Sequence, residues 1–359
     1  MRVVIEALPA VPFGGYAVAL EGLLRGWDRL EADDEIHLLL TEDVEMEVPA
    51  SVQIHRFRVG PPRAVRRVMV QSLAARRVCR AVEADVLLGV IPTTAVTPVG
   101  CPKVITVHDL RHELVPEQFT LARRLLRKVS YGIGYRQAAG VICVSERTRR
   151  DLLRSRPWLK SKPVSTVHWG ADHVDDWPRR SPDPGEQPYA LAFGHFPNKA
   201  VDRVIDAWET LRERGEARPL VFVGLPGSAR ERISERIRAA GLGGVITPLP
   251  WLDNDEFHAR FASAGLIVLA SDFEGFGLPA VEAMRLGIPL VISADEALME
   301  VTGGNATVVA EADPASLADG VSAAWATSSE DLERARSYVE RYTWLTVARE
   351  TREALGEVL

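Results

Sequence analysis

Residues 265–284 read GLIVLASDFEGFGLPAVEAM. The opening residues form an uninterrupted apolar run of strand length. Pro279 stands where a helix opens well, since the N–H it lacks is one that a first turn leaves unbonded. The intervening DFEGFGL is therefore a strand-to-helix loop. Gly275 and Gly277 let the backbone turn sharply and bring its N–H groups close to a ligand. The helix N-terminus adds partial positive charge, which favours phosphate or another anion. Two carboxylates, Glu274 and Glu282, occupy this setting. Glu282, in the first turn or so of the helix, has an electrostatic reason to be there without a ligand. Its two oxygens also match the vicinal hydroxyls of a ribose. Glu274 is either a solvated loop acid or a holder of sugar hydroxyls delivered beside the phosphate. Amides for phosphate, one acid for ribose and one for a transferred sugar together make a nucleotide-sugar site.

The same alternation of short apolar run and helix-length segment extends both ways. RVVIEA, EIHLLLT, VQIHRF, DVLLGV, KVITVH, GVICVS and VSTVHW read as strands in the first half. YALAF, PLVFVG, GVITPL, GLIVLA, PLVIS and ATVVA read as strands in the second. Helical periodicity covers 17–30, 64–82, 121–139 and 146–154, then 201–214, 228–240, 255–262 and 279–286, with three more helical stretches in the tail. Most strands are continuously apolar, the pattern of parallel sheets covered on both faces. Residues 171–188, ADHVDDWPRRSPDPGEQP, break the pattern. The expected organisation is α/β: a Rossmann-like domain over 1–172, a linker over 173–187 and a second Rossmann-like domain over 188–342. The last helix, 343–359, is free to cross back. Such sheets bind ligands beyond the carboxyl ends of their strands, so the cleft between domains is where a site is expected.

A chain of 359 residues is long enough for two cores, and 47% hydrophobic with 26% charged residues is ordinary globular composition. The net charge of −6 argues against nucleic acid as a partner. Cys79, Cys101 and Cys143 lie in or beside apolar runs without metal-ligand spacing, and read as reduced core residues of a cytoplasmic protein. MRVVIEALPAV is too short and interrupted for a signal peptide, and no segment supplies the roughly 18 uncharged apolar residues of a spanning helix.

The segment from Glu274 to Pro279, with Glu282, Ala283 and Met284, resembles the paired-glutamate motif of retaining glycosyltransferases of family four, which have the GT-B fold of two facing Rossmann-like domains. The resemblance extends to Gly14-Gly15, Val107-His108-Asp109, Val144-Ser145, Val167 to Gly170, Gly194 to Lys199, Phe222 to Gly224 and Arg341 to Trp344. It implies that Glu282 binds donor ribose. Glu274 would contact the donor hexose, and the backbone of Gly275, Phe276, Gly277 and Leu278 the hexose or phosphate. His108 would touch the donor sugar, and the loop of Gly14 and Gly15 would close over the diphosphate; a plain turn also accounts for that glycine pair.

Lys199 is placed to neutralise a departing diphosphate as a mobile charge. Relatives carry an arginine shortly before this lysine; here His195 and Phe196 stand there, and His195 is a candidate hydrogen-bond donor to the nucleotide sugar. Asp109 orients His108, caps the next element or touches acceptor. His108, with an ordinary pKa near 6.5, is expected to have an adjustable charge. Relatives often carry asparagine where Trp169 stands, which makes that stretch a cleft wall. Backbone groups near Thr247 and Leu249 lie where relatives receive the base. Glu296 and Glu300 fit either the end of the donor domain or a solvated helix. His37, His55, His112, His173 and His258 show no paired pattern, and no metal site is expected.

Arg63, Arg66, Arg67, Arg76, Arg77 and Arg80 form one basic cluster, and Arg123, Arg124, Arg127 and Lys128 a second. Each has helical spacing with apolar residues on its remaining face. They read as solvated helix faces or as contacts with an anionic acceptor or membrane, which would place the protein at the inner face of a membrane as a peripheral protein. The expected reaction is retaining transfer of a hexosyl unit, mannosyl from GDP-mannose first and UDP-sugars next, to a hydroxyl acceptor. No cofactor or obligatory metal is expected. The alternatives are an inactive nucleotide-sugar-binding subunit and a nucleotide-sugar epimerase; a dehydrogenase would want a GxGxxG loop that the first strand lacks.

Overall fold

The computed structural model describes residues 1–9, 14–59, 63–178, 187–311 and 313–359, with the backbone alone at 63–67. The side chains of Arg63, Arg66 and Arg67, and 179–186 of the expected linker, lie outside the described residues. Every run read as a strand forms one. The first sheet holds β1 (Arg2–Glu6), β2 (Glu35–Thr41), β3 (Gln53–Phe57), β4 (Val86–Gly89), β5 (Lys103–Val107), β6 (Gly140–Cys143) and β7 (Val164–Thr166). The second holds β8 (Ala190–Phe193), β9 (Leu220–Val223), β10 (Ile246–Pro248), β11 (Leu266–Leu269), β12 (Leu290–Ser293) and β13 (Thr307–Val309).

The helices between them are α1 (Gly15–Asp28), α2 (Arg63–Ala81), α3 (Arg111–Leu114), α4 (Leu121–Gln137) and α5 (Glu146–Ser155), then α6 (Val201–Glu213), α7 (Gly227–Ala239), α8 (Asn254–Ala262), α9 (Leu278–Arg285) and α10 (Glu296–Thr302). The tail forms α11 (Pro314–Ala324), α12 (Ser329–Val339) and α13 (Trp344–Gly356). The four-residue α3 is too short to carry a periodic signal. The helix α10 is not merely solvated: Ala297, Leu298, Val301 and Thr302 are buried, and the Asp295 carboxylate caps it through the N–H groups of Ala297 and Leu298.

The chain divides into two compact units, one of Met1–Gly170 with Tyr342–Leu359 and one of Ala171–Arg341. The second unit thus begins ahead of the expected linker, with a 3-10 turn at Asp172–Asp176. All strand pairs are parallel, in the orders β3-β2-β1-β4-β5-β6-β7 and β10-β9-β8-β11-β12-β13. Strand order reverses between β1 and β4 and between β8 and β11. In the second sheet, right-handed crossovers therefore send the helices after β8 and β11 to opposite faces; in the first, α1 after β1 and α2 ahead of β4 join separate cores.

The side-chain alternation of the strands serves both faces of the first sheet. Val3, Ile5, Leu38 and Leu40 join the core of α1 and α13, whereas Val4, Leu39 and Leu87 join Ala74, Ala75 and Val78 of α2. The tail helix α13 packs on α1 because glycines clear its path: a Cβ at Gly22 would meet the Trp344 ring at 2.2 Å and one at Gly26 the Trp344 carbonyl oxygen at 2.0 Å. Asp34 ties down both chain ends, accepting from the N-terminal ammonium at 2.6 Å and from Arg352 Nε at 2.7 Å. Burial would raise its pKa, but these partners outweigh that and hold it below the usual carboxylate range.

Candidate active site

The reversal between β8 and β11 opens the second sheet where the loops after those strands part to opposite faces, the general location of ligand sites in open parallel sheets. Both loops carry functional residues. After β8 the chain makes a 3-10 turn at Pro197–Lys199 and then places Ala200 in the left-handed region, at φ 50°. A non-glycine residue there costs about 1–2 kcal/mol. The strain is held by Asn198, whose side chain donates to Phe273 O at 2.9 Å and whose carbonyl accepts from Asp272 N at 2.8 Å.

This turn delivers Lys199 to Glu274. The ammonium lies 2.6 Å from Glu274 Oε1, with the side chains 7% and 15% exposed. Sequence reasoning assigned the two to different parts of a donor; the fold makes them one ion pair. Burial alone would raise the Glu274 pKa, but Lys199 outweighs it and keeps the carboxyl below its ordinary value. Asp295, which sequence reasoning missed, accepts from Glu274 N at 3.1 Å while capping α10. Its only signal was a lone acid ahead of an apolar helical stretch.

Gly277 is the N-cap of α9 at φ 92°, and a Cβ there would meet Leu298 Cδ2 at 2.4 Å, so any other residue would be both strained and crowded. Gly275 is half-buried, and Phe276 and Leu278 are buried. Glu282 lies beyond the first turn of α9, not within it. The macrodipole therefore does not account for it. It is buried on the inward face, with Oε1 3.0 Å from His173 Nε2. His195 packs between Phe196 and Trp251. Thr247 is exposed on the edge strand β10, while Leu249 spends its N–H on Phe222 O at 2.8 Å and accepts from Leu225 N at 3.2 Å.

The first unit has its own group at the carboxyl ends of its strands. Gly14 is the N-cap of α1 at φ 79°, and Gly15 opens that helix against Trp169, which a Cβ would meet at 3.6 Å. His108, just after β5, packs edge-on against Tyr16 at 4.3 Å and beside Trp169 at 5.3 Å. Its Nε2 lies 2.7 Å from Val90 O; the carbonyl only accepts, so Nε2 carries the hydrogen. Burial pushes its pKa down to about 4. The expectation of an adjustable charge is thereby corrected: the ring is neutral at pH 7. Its Nδ1 is a buried acceptor without a hydrogen-bond partner among the described residues. Asp109 Oδ1 accepts from Arg111 N at 2.9 Å and so steadies the turn into α3. The wholly buried Glu6, at the end of β1, was not singled out from the sequence; it accepts from Leu8 N at 3.2 Å and from Gln71.

Arg123 is exposed and Arg124 half-buried on α4. The apolar face of that helix does not all turn inward: Leu121, Leu125, Leu126 and Val129 are between 54% and 67% exposed. Among the described residues no cluster of three or more His, Cys, Asp or Glu is placed to hold a metal, and no helix is long and apolar enough to cross a membrane.

Two family descriptions match adjoining parts of the chain, "Glycosyltransferase Family 4" over residues 13–174 and "Glycosyl transferases group 1" over 174–341. The chain belongs to the family-four type of glycosyltransferases. Among curated proteins, this glycosyltransferase is 32% identical over 170 residues to an MMP alpha-(1→4)-mannosyltransferase of Mycolicibacterium hassiacum, covering 45% of this chain and 41% of that one. It is 27% identical over 213 residues to O-antigen chain mannosyltransferase B of Escherichia coli, covering 56% of this chain and 55% of that one. The serotype-specific mannosyltransferase WbdA of Escherichia coli is 28% identical over 226 residues, 57% of this chain and 27% of its own. The chain thus spans between about a quarter and about half the length of these curated relatives. A sucrose-phosphate synthase from Thermosynechococcus elongatus superposes with a TM-score of 0.74 at 17% identity over 98% of this chain and 97% of that one. The Anabaena protein HepE, solved with UDP-glucose, gives 0.73 at 19% over 99% of each chain. These two likenesses establish the GT-B fold of the glycosyltransferase.

Proposed function

We propose that this chain transfers a hexosyl unit, mannosyl from a GDP donor before other sugars, from a nucleoside diphosphate sugar to a hydroxyl acceptor with retention of anomeric configuration. The observation that carries the reading is the buried Lys199–Glu274 pair beside the N-terminus of α9. A cation held against one carboxylate is pre-placed for the charge that appears on a leaving diphosphate, and such preorganisation is often the largest catalytic term. In the proposed step the bond between the sugar C1 and the phosphate oxygen breaks, and the acceptor oxygen bonds to C1 from the same face. The departing phosphate takes the acceptor proton, so no protein nucleophile is assigned. Glu274 holds the hexose, Glu282 the ribose, and His108, neutral near pH 7, offers the sugar a hydrogen-bond acceptor at Nδ1. No metal ion takes part in this scheme. The mannosyltransferase names among the relatives support mannose as the first sugar to test.

Calorimetry against GDP-mannose, UDP-glucose and related donors, followed by diphosphate release with candidate acceptors, tests the reading. Glu282→Ala is expected to weaken binding of the preferred donor by about 10- to 100-fold, the worth of hydrogen bonds to a charged group. Unchanged affinity would remove the ribose assignment. Tight donor binding with no transfer to any acceptor would favour a binding subunit, and release of a free epimerised sugar an epimerase.

The proposal includes peripheral contact with an anionic membrane. The outward Leu121, Leu125, Leu126 and Val129 lie on a helix that also carries Arg123, Arg124, Arg127 and Lys128 and no acid. Apolar side chains that enter the headgroup region beside cations that meet anionic lipid are the two parts of interfacial helix binding. In co-sedimentation with vesicles, the protein is expected to bind phosphatidylglycerol and not phosphatidylcholine, and Leu125→Glu with Val129→Glu is expected to abolish binding. Equal recovery of the double variant on the anionic vesicles would remove membrane contact from the proposal.

A further inference from the structure

His173, not assigned to any role by its sequence context, meets Glu282 inside the second unit. Its Nε2 lies 3.0 Å from Glu282 Oε1, with the two side chains 12% and 5% exposed. A carboxylate only accepts, so Nε2 carries a hydrogen and donates it. Glu282 Oε2 has no hydrogen-bond partner among the described residues.

The histidine is itself held from behind. Its ring meets the buried Trp177 edge-on at 5.6 Å, and Trp177 in turn stacks on His258 at 4.3 Å with the planes 14° apart. Burial lowers the His258 pKa below its ordinary value, so this outer ring is a neutral packing surface near pH 7. The same 3-10 turn is fastened to α9 a second time, by Arg285, which donates from Nε and Nη2 to the two oxygens of Asp175 at 2.7 Å each. The turn therefore grips α9 at positions 282 and 285, neighbours on one helix face.

Resting on the ribose reading of Glu282, we infer that His173 is the positioning residue that selects ribonucleotides at this site. A glutamate side chain left unsupported at this depth would search several rotamers and would need a proton or another partner to remain buried. The donated hydrogen bond fixes one oxygen and with it the plane of the carboxyl group. The second oxygen, and the remaining lone pair of the first, then face a diol in one orientation. Trp177 limits the rotation of the imidazole, so the direction of that hydrogen bond is set before any nucleotide arrives. The chemistry recognised is a pair of vicinal hydroxyls on the sugar of a nucleoside diphosphate.

The test compares the affinity of the purified full chain for GDP and UDP with that for their 2′,3′-dideoxy counterparts, by calorimetry. The readout is the ratio of the two affinities for the better-bound base. Wild type is expected to prefer the ribonucleotide, and Glu282→Gln to reduce that preference about tenfold. His173→Phe is expected to reduce it to a similar extent, and the double variant to lower it no further. His173→Gln, whose amide N–H reaches about as far as Nε2, is expected to retain the preference. His173→Asn, one bond shorter, is expected to lose it, and keeps the test open if the phenylalanine variant does not fold. A purely structural histidine would lower the melting temperature without changing the ratio. If Glu282→Gln collapses the ratio while His173→Phe and His173→Asn keep it, this inference is overturned and the ribose reading stands. If Glu282→Gln leaves the ratio at its wild-type value, the ribose reading itself fails and the inference with it.

Discussion

Lys199→Met is expected to lower sugar transfer by about 100- to 1000-fold, the scale seen when one preorganised charge-stabilising group is removed. The same substitution is expected to destabilise the fold by about 3–5 kcal/mol, because it leaves the Glu274 carboxylate buried without its counter-ion. The two losses can be separated. Adding Glu274→Gln to Lys199→Met removes the orphaned charge, so stability is expected to recover largely while transfer does not. The pH dependence carries a sign. In wild type the Glu274 pKa is held below its ordinary 4.5, so the pair contributes stability above that pH and loses it as pH falls. In Lys199→Met burial acts unopposed and the folded-state pKa rises, so that protonation of Glu274 relieves the variant as pH is lowered. The stability gap between the two proteins, measured by urea unfolding, is therefore expected to narrow between pH 7 and pH 5. A constant gap would mean that Glu274 is not the group left exposed to the loss.

Gly26→Ala is expected to destabilise the first unit by about 3 kcal/mol or more, at the upper end of what overpacking costs. In an ordinary helix the change would gain about 1 kcal/mol of propensity. Here the new Cβ would stand 2.0 Å from the Trp344 carbonyl oxygen and 3.1 Å from Leu345 N. Both are backbone atoms at the start of α13, so no side-chain rotation gives way and the helix must shift. That would draw the Trp344 ring from its place against Gly22 and disturb the core shared by Leu20, Leu24, Val347 and Leu355. Gly132→Ala in α4 is the control, since its Cβ would meet only the flexible end of Arg136 at 3.4 Å. It is expected to be neutral or stabilising by up to about 1 kcal/mol. Urea midpoints of the two variants against wild type check both values; equal midpoints would show that α13 does not depend on the close approach at Gly26.

The strands were legible because a parallel strand buried on both faces must be apolar at nearly every position, as in LLL at 38–40 and LIVL at 266–269. The loop around Gly277 was legible for a similarly local reason: a left-handed N-cap and a proline in the first helical turn are requirements of the backbone itself. Residues whose role depends on what stands opposite left weaker marks. His173 looked like an unpaired histidine in a polar stretch, because its partner lies 109 residues away. Asp295 carried only the generic mark of a helix cap. His108 was placed at the right end of its strand, but its neutrality follows from the depth of its burial beside Tyr16 and Trp169. The helix α4 showed an amphipathic pattern whose period is the same whichever face is buried, so the exposure of Leu125 and Val129 had to come from the fold.

By itself the sequence determined the α/β class, the strands of both sheets, the loop-to-helix segment from Glu274 to Glu282 and the family type. These are written in local periodicity and backbone chemistry, which act over a few residues. Only the tertiary structure decided that Lys199 and Glu274, 75 residues apart, form one buried ion pair, that His173 holds Glu282, and that α13 returns to α1 across two glycines. Parallel sheets join their strands through long crossovers, so the groups that meet at the strand ends are brought there by strand order, a quantity that no short stretch of the chain encodes.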